Sequence, residues 1–175
     1  MKKESRHIIN QFTKTIREIL EIKTDNFDII KVVEDLGGKI IIDASTIDEA
    51  TIRKSDDDSF EIVLNAYVEN EKRRRFSIAH ELGHLFLHMR YQINNKWNEI
   101  PIGSKFNRNT GIPYSRLEKE ANEFAAAFLM PDERFLVIAE DTSDKDSYYI
   151  DKIANVFNVS EQTVEIRGKN LGLWR

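Results

Sequence analysis

The feature that most constrains this chain is a pair of histidines inside an apolar run at residues 76–89, FSIAHELGHLFLHM. The apolar residues of the run recur at the three- and four-residue spacing of a helix. Successive residues of an α-helix turn by about 100°, so His80 and His84 lie one turn apart on one face and can bind the same ion. Neutral imidazole is a good ligand for Zn²⁺, and we predict that these two histidines bind zinc.

The residues around the pair favour a metal site over two ordinary surface histidines. Imidazoles in an apolar helix cost free energy unless they have partners. Gly83 costs roughly 1 kcal/mol relative to alanine in a helix interior, which indicates that another backbone or a ligand passes close to it. Glu81 follows His80 directly, where its carboxylate can take a proton from a water that attacks a carbonyl. We therefore predict Glu81 as the catalytic base.

A catalytic zinc site needs a third protein ligand. The chain has no cysteine, so histidine and carboxylate side chains must supply all the ligands. Glu118 lies in a second amphipathic helix, at the margin of its apolar face, whereas Glu120 and Glu123 are expected farther toward solvent. We predict Glu118 as the third ligand; the alternative is a solvated helix charge. Asn122, one turn later, is expected to hydrogen-bond to a ligand histidine. The apolar face of this helix consists of Leu117, Ala121, Phe124, Ala125, Phe128 and Leu129.

Three further side chains have open roles. His88 is about 12 Å along the helix from His80, too far to share one ion, so it either supports a ligand or stabilises the transition state. Tyr148 and Tyr149 either donate a hydrogen bond to the reacting carbonyl oxygen or take part in aromatic packing. Mn²⁺ and Fe²⁺ are alternatives to Zn²⁺, because histidine and carboxylate ligands discriminate poorly among these ions.

Composition narrows the class of protein. The 175 residues suit a single domain spanning 1–175, and 41% hydrophobic with 32% charged residues is typical of a soluble globular chain. A net charge of −4 gives no general attraction to nucleic acid or to an anionic membrane. No apolar stretch has the length of a signal peptide core or a membrane span. We predict a cytoplasmic protein that neither enters membranes nor binds nucleic acid directly.

The remaining patterns predict an α+β fold. Helices are expected at 8–22 and about 26–36, a strand at 39–43, and a hairpin of strands 51–54 and 60–64 with an acidic tip. We expect a small, mostly antiparallel sheet with the zincin-type helices packed on it. A helical subdomain at about 131–175 would close the domain with a C-terminal helical pair, separated by a turn at 158–160.

Two stretches allow more than one interpretation. The basic run at residues 72–75 is interpreted as a solvated helix flank, with contact to phosphate or to an acidic substrate segment as the alternative. Residues 91–113 are irregular, and we interpret them as a lid over the cleft. The C-terminal pair has a helix-turn-helix outline, but Glu161 and Glu165 offset Arg167 and Lys169, which argues against DNA binding.

Residues 75–88, RFSIAHELGHLFLH, and 117–131, LEKEANEFAAAFLMP, together resemble the ImmA/IrrE family of zinc metallopeptidases. The preceding hairpin and residues 159–173 are also similar to that family. The resemblance implies that the third ligand is the glutamate three residues before the alanine of the second motif, here Glu118. It also implies a protein substrate: a helix-turn-helix transcriptional repressor of a mobile element or stress response, encoded nearby. The alternative is a metal-bearing pseudo-peptidase that binds or senses a regulator without cutting it.

Overall fold

The computed structural model describes residues 1–93, 95–105, 114–144 and 147–174. Within these ranges the chain has eight α-helices, one short π-helix and a three-stranded sheet, which confirms the predicted α+β class. The helices are α1 (Lys3–Ile19), α2 (Ile29–Asp35), α3 (Glu71–Gly83), α4 (Lys96–Glu99), α5 (Tyr114–Leu129), α6 (Asp132–Asp141), α7 (Ile150–Phe157) and α8 (Glu161–Leu171). The strands are β1 (Gly38–Asp43), β2 (Ala50–Lys54) and β3 (Phe60–Asn65). None of the helices in the described residues is both long and apolar enough to cross a lipid bilayer.

The sheet has the strand order β1-β3-β2. β2 and β3 form the predicted hairpin, with Ala50 opposite Leu64 and Lys54 opposite Phe60. β1 lies parallel to β3, so the sheet is mixed and the expectation of mostly antiparallel pairing describes only the hairpin side. Short β-branched strands look alike in sequence whichever direction their neighbour runs. β2 lies at an edge of the sheet, and α3 packs against it.

The helix that carries the histidines, α3, begins at Glu71 and has Asn70 as its N-cap. The Asn70 side chain accepts a hydrogen bond from the backbone amide of Arg73 and so satisfies a donor that the first helical turn leaves unpaired. After Gly83 the helix widens into a π-helix, His84–His88, in which the amide of Met89 donates to the carbonyl of His84. A π-helical turn displaces the side chains that follow it from ordinary α-helical positions, and such turns are common at functional sites.

Close packing of α3 against α5 sets the distance between the two predicted ligand segments. A Cβ atom placed on Gly83 would lie 3.1 Å from the Cα atom and the carbonyl oxygen of Ala121 on α5. The sequence-based expectation that a backbone passes close to Gly83 is therefore confirmed. The core between the sheet and these helices includes the fully buried side chains Ile52, Phe60, Ile62, Leu82, Leu85, Phe124 and Phe128.

The C-terminal helical pair is present, as predicted. α7 ends at Asn158, which adopts the left-handed conformation at φ 51°, and the Ser160 hydroxyl caps α8 by accepting from the amide of Thr163. Arg167 on α8 is fully buried and binds Glu123 on α5 and Asp132 on α6. This ionic contact fixes α8 against the helix that carries Glu118.

The described part of the irregular stretch packs on the hairpin tip. Trp97 on α4 is buried, and its indole N–H donates to the backbone carbonyl of Asp57 at 2.6 Å. The amide of Lys54 in β2 bonds to the carbonyl of Ser104. None of the described residues at 91–105 lines the cleft beside the histidines. Residues 106–113, on which the lid interpretation also rests, lie outside the described residues.

Candidate metal centre

The three predicted ligands converge at one point between α3 and α5. Nε2 of His80 lies 3.2 Å from Oε2 of Glu118, Nε2 of His84 lies 3.3 Å from Oε1, and the two Nε2 atoms lie 3.0 Å apart. One ligand atom from each residue lies within 4.8 Å of the other two. Two ligands that each lie about 2.05 Å from a tetrahedral zinc ion are roughly 3.3 Å apart, so the observed spacing suits zinc.

The hydrogen bond on the other side of His80 fixes which ring nitrogen is available to a metal. Nδ1 of His80 lies 3.0 Å from Oδ1 of Asn122, an oxygen that only accepts hydrogen bonds. Nδ1 of His80 therefore carries a hydrogen and donates it. In the neutral ring, Nε2 then holds a lone pair directed at Glu118, which is the form that binds a metal.

A longer chain of hydrogen bonds fixes His84 in the same way. Nε2 of His88 faces Oε2 of Glu120 at 3.4 Å, and because a carboxylate only accepts, Nε2 of neutral His88 is the donor. Nδ1 of His88 is then an acceptor for Nδ1 of His84, 2.9 Å away. Glu120 is held in turn by Arg116, whose Nε donates to Oε1 at 2.8 Å. Nε2 of His84 is thus left with a lone pair toward the cluster.

The residues present fit a divalent cation. Two nitrogen lone pairs and a carboxylate face one another at close range, an arrangement that repels itself unless positive charge lies between the atoms. The lining contains nitrogen and oxygen donors and no sulfur, which suits Zn²⁺, Mn²⁺ or Fe²⁺. His80, His84 and Glu118 therefore form a possible metal site.

The electrostatics of the histidines agree with this assignment. Burial on its own lowers the pKa of His80, but the hydrogen bond to Glu118 and the charges of Glu81 and Glu118 outweigh it, so the pKa is raised. The site thus favours positive charge at His80, which a proton or a metal ion supplies. Burial, with the neighbouring His80 and His88, lowers the pKa of His84 to about 3, so His84 is neutral at physiological pH.

Glu81 lies beside the cluster and is only 7% exposed. Burial raises the pKa of its carboxyl to about 7, an effect that the positive charge of His80 opposes. A carboxyl group with a pKa near 7 can both accept and return a proton at neutral pH. Its side chain lines the same cleft as the three candidate ligands, and the geometry therefore allows Glu81 to act on a water molecule there.

The cleft has a volume of about 340 Å³ and is open on one side to solvent. Its second wall is the segment from Asp48 to Thr51, which includes the start of edge strand β2. Within this wall Glu49 accepts a hydrogen bond from the Ser77 hydroxyl at 2.6 Å and pairs with Arg73 at 2.7 Å. No sequence motif marks this wall, because its position follows from the packing of β2 against α3.

Other candidate residues lie elsewhere. Tyr148 packs on Trp174, and the Tyr149 hydroxyl donates to Asp144, so neither tyrosine lines the cleft. The expectation that Glu120 lies farther toward solvent than Glu118 is wrong, since their side chains are 16% and 26% exposed. The same expectation is wrong for Glu123, which is 4% exposed. α1 and α8 cover that side of α5, and Arg6 and Arg167 neutralise its charge.

Comparison with known proteins finds a solved structure with a similar fold and a matching family model. No curated protein matches the chain. A solved structure described as a Mycobacterium tuberculosis transcriptional regulator is similar to it, with a TM-score of 0.59 and 22% sequence identity. The similarity covers 90% of this chain and 45% of that one, so the chain spans about half the length of that relative. At this identity, the similarity concerns the fold alone.

A protein-family model described as Peptidase_M78, IrrE N-terminal-like domain, matches residues 30–169. The matched range includes the sheet, both helices of the cluster and most of the C-terminal helical pair. The family supports a metallopeptidase-type domain, in agreement with the possible metal site and with the resemblance read from the two motifs. The chain belongs to the IrrE N-terminal-like family.

Proposed function

We propose that this chain is a zinc-dependent endopeptidase in which His80, His84 and Glu118 bind the ion. The observation that carries the proposal is the convergence of these three ligand atoms in an open cleft beside the buried carboxyl of Glu81. His80 and His84 enter the site with their outer nitrogens already engaged, by Asn122 and His88. Outer hydrogen bonds of this kind orient metal-binding imidazoles and increase metal affinity.

The reaction is hydrolysis of a peptide bond. A bound Zn²⁺ supplies Lewis-acid chemistry that acidifies water and polarises a carbonyl group. Glu81 accepts the proton of the attacking water and then delivers it to the nitrogen of the leaving amine, so the carboxylate returns to its starting state. Its burial keeps the carboxyl basic enough for the first transfer and acidic enough for the second.

The edge strand supports a protein substrate. Ala50 and Thr51 at the start of β2 line the cleft, while residues 103–105 cover the other end of the strand edge. An exposed strand edge binds an extended peptide through backbone hydrogen bonds. We therefore propose that an extended segment of the substrate lies along the start of β2, with its scissile bond at the metal centre.

The proposed substrate class is the one that the resemblance of the two motifs to the ImmA/IrrE family implies. We propose a helix-turn-helix transcriptional repressor, encoded near the gene of this chain and cleaved in the cytoplasm. A solved structure with this fold is described as a transcriptional regulator, which is compatible with a role in gene control. The competing function is capture of such a regulator without cleavage.

The test combines the chain, zinc and the neighbouring repressor, and follows fragments on a gel. We expect Glu81→Gln to keep bound metal and lose cleavage, and His84→Ala to lose both. Glu71→Gln, the same change on an exposed glutamate at the start of α3, serves as the control and should cleave normally. Normal cleavage by the Glu81→Gln protein would refute the assigned base. An intact repressor that co-elutes with the wild-type chain would instead favour capture. Repeating the assay with Mn²⁺ and Fe²⁺ identifies the active metal.

A further inference from the structure

A second cavity, of about 800 Å³, opens next to the metal cleft between α3, α5 and α8. The two cavities meet, because Glu49, Phe76 and Asn122 line both. A chain that leaves the metal cleft on this side therefore enters the second cavity directly. We call this cavity the basic groove, and its characteristic lining residues are Lys72, Arg73, Phe76, Lys119, Gln162 and Ile166.

The acidic residues of the basic groove are already neutralised. Nε and Nη2 of Arg73 donate to the two carboxylate oxygens of Glu49, at 2.9 and 2.7 Å. Glu123 is buried between Arg6, at 3.0 Å, and Arg167, at 2.8 Å. The carboxylates therefore present little net negative charge to a molecule in the groove.

Two lysines supply a surplus of positive charge. Nζ of Lys72 bonds to the neutral amide oxygen of Asn155 at 3.1 Å. Lys119 is exposed on α5, one residue after the candidate ligand Glu118. Across the described ranges, no carboxylate forms an ion pair with either lysine. Lys72 lines the groove from α3 on one side, and Lys119 lines it from α5 on the other.

The basic groove also has an apolar part. Ile166 on α8 is 53% exposed, and the half-buried ring of Phe76 lies where the groove meets the metal cleft. Apolar side chains of a bound segment gain free energy when they cover such residues. The groove thus offers apolar contacts together with two unneutralised ammonium groups.

We propose that the basic groove binds an acidic, partly apolar segment of the protein substrate that is continuous with the segment held in the metal cleft. This proposal rests on the proposed function, since it assigns the segment to the same substrate. Carboxylates of the segment pair with Lys72 and Lys119, and an apolar side chain covers Ile166. Nucleic acid fits less well, because affinity for its backbone grows with the number of phosphates neutralised, and among the described lining residues Lys72 and Lys119 are the side-chain cations in surplus.

The test measures binding, without cleavage, by fluorescence anisotropy. The protein is the full chain carrying Glu81→Gln and loaded with zinc, and the probe is a fluorescein-labelled peptide of about twelve residues rich in glutamate and leucine. We expect Lys72→Glu with Lys119→Glu to weaken binding about ten-fold at low salt, because two attractions become repulsions. The matched control is Lys23→Glu with Lys39→Glu, which makes the same charge change at exposed lysines outside the groove and should change affinity less than about two-fold.

Further variants make each result decisive. Lys72→Gln with Lys119→Gln should weaken binding less than the glutamate pair, and a peptide with glutamine in place of every glutamate should bind poorly. Thermal melts establish that all variants fold. Equal weakening by the groove and control pairs would overturn the proposal, as would undetectable peptide binding or duplex DNA that competes as well as unlabelled peptide.

The outcome is separable from that of the proposed function. The His84→Ala protein, which should lose metal and cleavage, is expected to bind the acidic peptide with nearly the wild-type affinity. If the groove variants behave as expected but neither the wild-type protein nor any variant cleaves a repressor, peptide binding in the basic groove is supported and the proposed hydrolysis is refuted. If the groove double variant and the control double variant both cleave the repressor with equal efficiency, the proposed hydrolysis is supported and the role of the basic groove is refuted.

Discussion

Three glutamates on α5 allow the same substitution to be made in three different environments. Glu118 is a candidate ligand, and Glu120 holds His88. Glu123 is buried between two arginines. Glutamine has almost the same shape as glutamate, so each change removes one negative charge and little packing. The three variants should therefore separate metal binding from fold stability.

The magnitudes follow from the contacts of each carboxylate. Glu118→Gln removes the charge of one ligand of three, and we expect metal affinity to fall more than a hundred-fold, beyond the roughly 10–100-fold effect of changing an outer partner. Glu120 contacts His88, the outer partner of His84, and not a ligand itself, so Glu120→Gln should weaken metal binding at the lower end of that range, about ten-fold. Glu123→Gln leaves Arg6 and the fully buried Arg167 without their shared carboxylate, at a cost of about 3 kcal/mol, or roughly 6–12 °C in melting temperature.

Two measurements on each variant test these values. Competition with a chromophoric chelator gives the zinc affinity, and thermal unfolding in the presence of EDTA gives the stability of the metal-free protein. Glu118→Gln and Glu120→Gln should melt within about 4 °C of wild type, because the Glu118 side chain is partly exposed and Arg116, the charged partner of Glu120, is exposed. Wild-type zinc affinity in Glu118→Gln, or an unchanged melting temperature in Glu123→Gln, would refute the assignment concerned.

Two further predictions concern packing around the site. Gly83→Ala should weaken zinc binding about ten-fold, because the new Cβ atom would push on the backbone of Ala121 and metal bonds tolerate shifts of only about 0.2 Å. The stability of the metal-free protein, measured by unfolding in EDTA, should change little, since alanine regains roughly 1 kcal/mol of helix propensity. Wild-type zinc affinity would show that the two helices separate without moving the ligands. Tyr91→Phe should lower the free energy of unfolding in urea by about 1–2 kcal/mol, because the buried hydroxyl contacts two backbone carbonyls. Tyr67→Phe, at an exposed ring, is the control and should leave the free energy of unfolding almost unchanged.

The sequence predicts the parts of the site that depend on local helix geometry. His80 and His84 are four residues apart, so one helix suffices to place them together. Gly83 is unfavourable in a helix, and the close approach of Ala121 explains it. The hairpin is a local feature too, and it is found where the pattern places it.

The features that the sequence missed depend on contacts between distant segments. The buried position of Glu123 requires α1 and α8 to cover α5, and a helical wheel of α5 alone places this charge toward solvent. The cleft wall at Glu49 depends on which edge of the sheet meets α3. The π-helix at His84–His88 leaves no mark in the spacing of the histidines. Each of these features is fixed by tertiary packing, which residue periodicity does not encode.

Six consecutive residues of α5 show why the rotation of this helix about its axis is tightly fixed. Residues 118–123 contribute, in order, a candidate ligand, a groove lysine, the partner of His88, the contact with Gly83, the partner of His80 and a buried ion pair. Successive side chains point about 100° apart, so these contacts surround the helix on all sides. A rotation by one residue would move Glu118 out of the cluster and break the other five contacts as well. The contact between Gly83 and Ala121 and the ion pair between Glu123 and Arg167 oppose such a rotation from two sides, so the placement of the carboxylate beside the two imidazoles is a property of the fold.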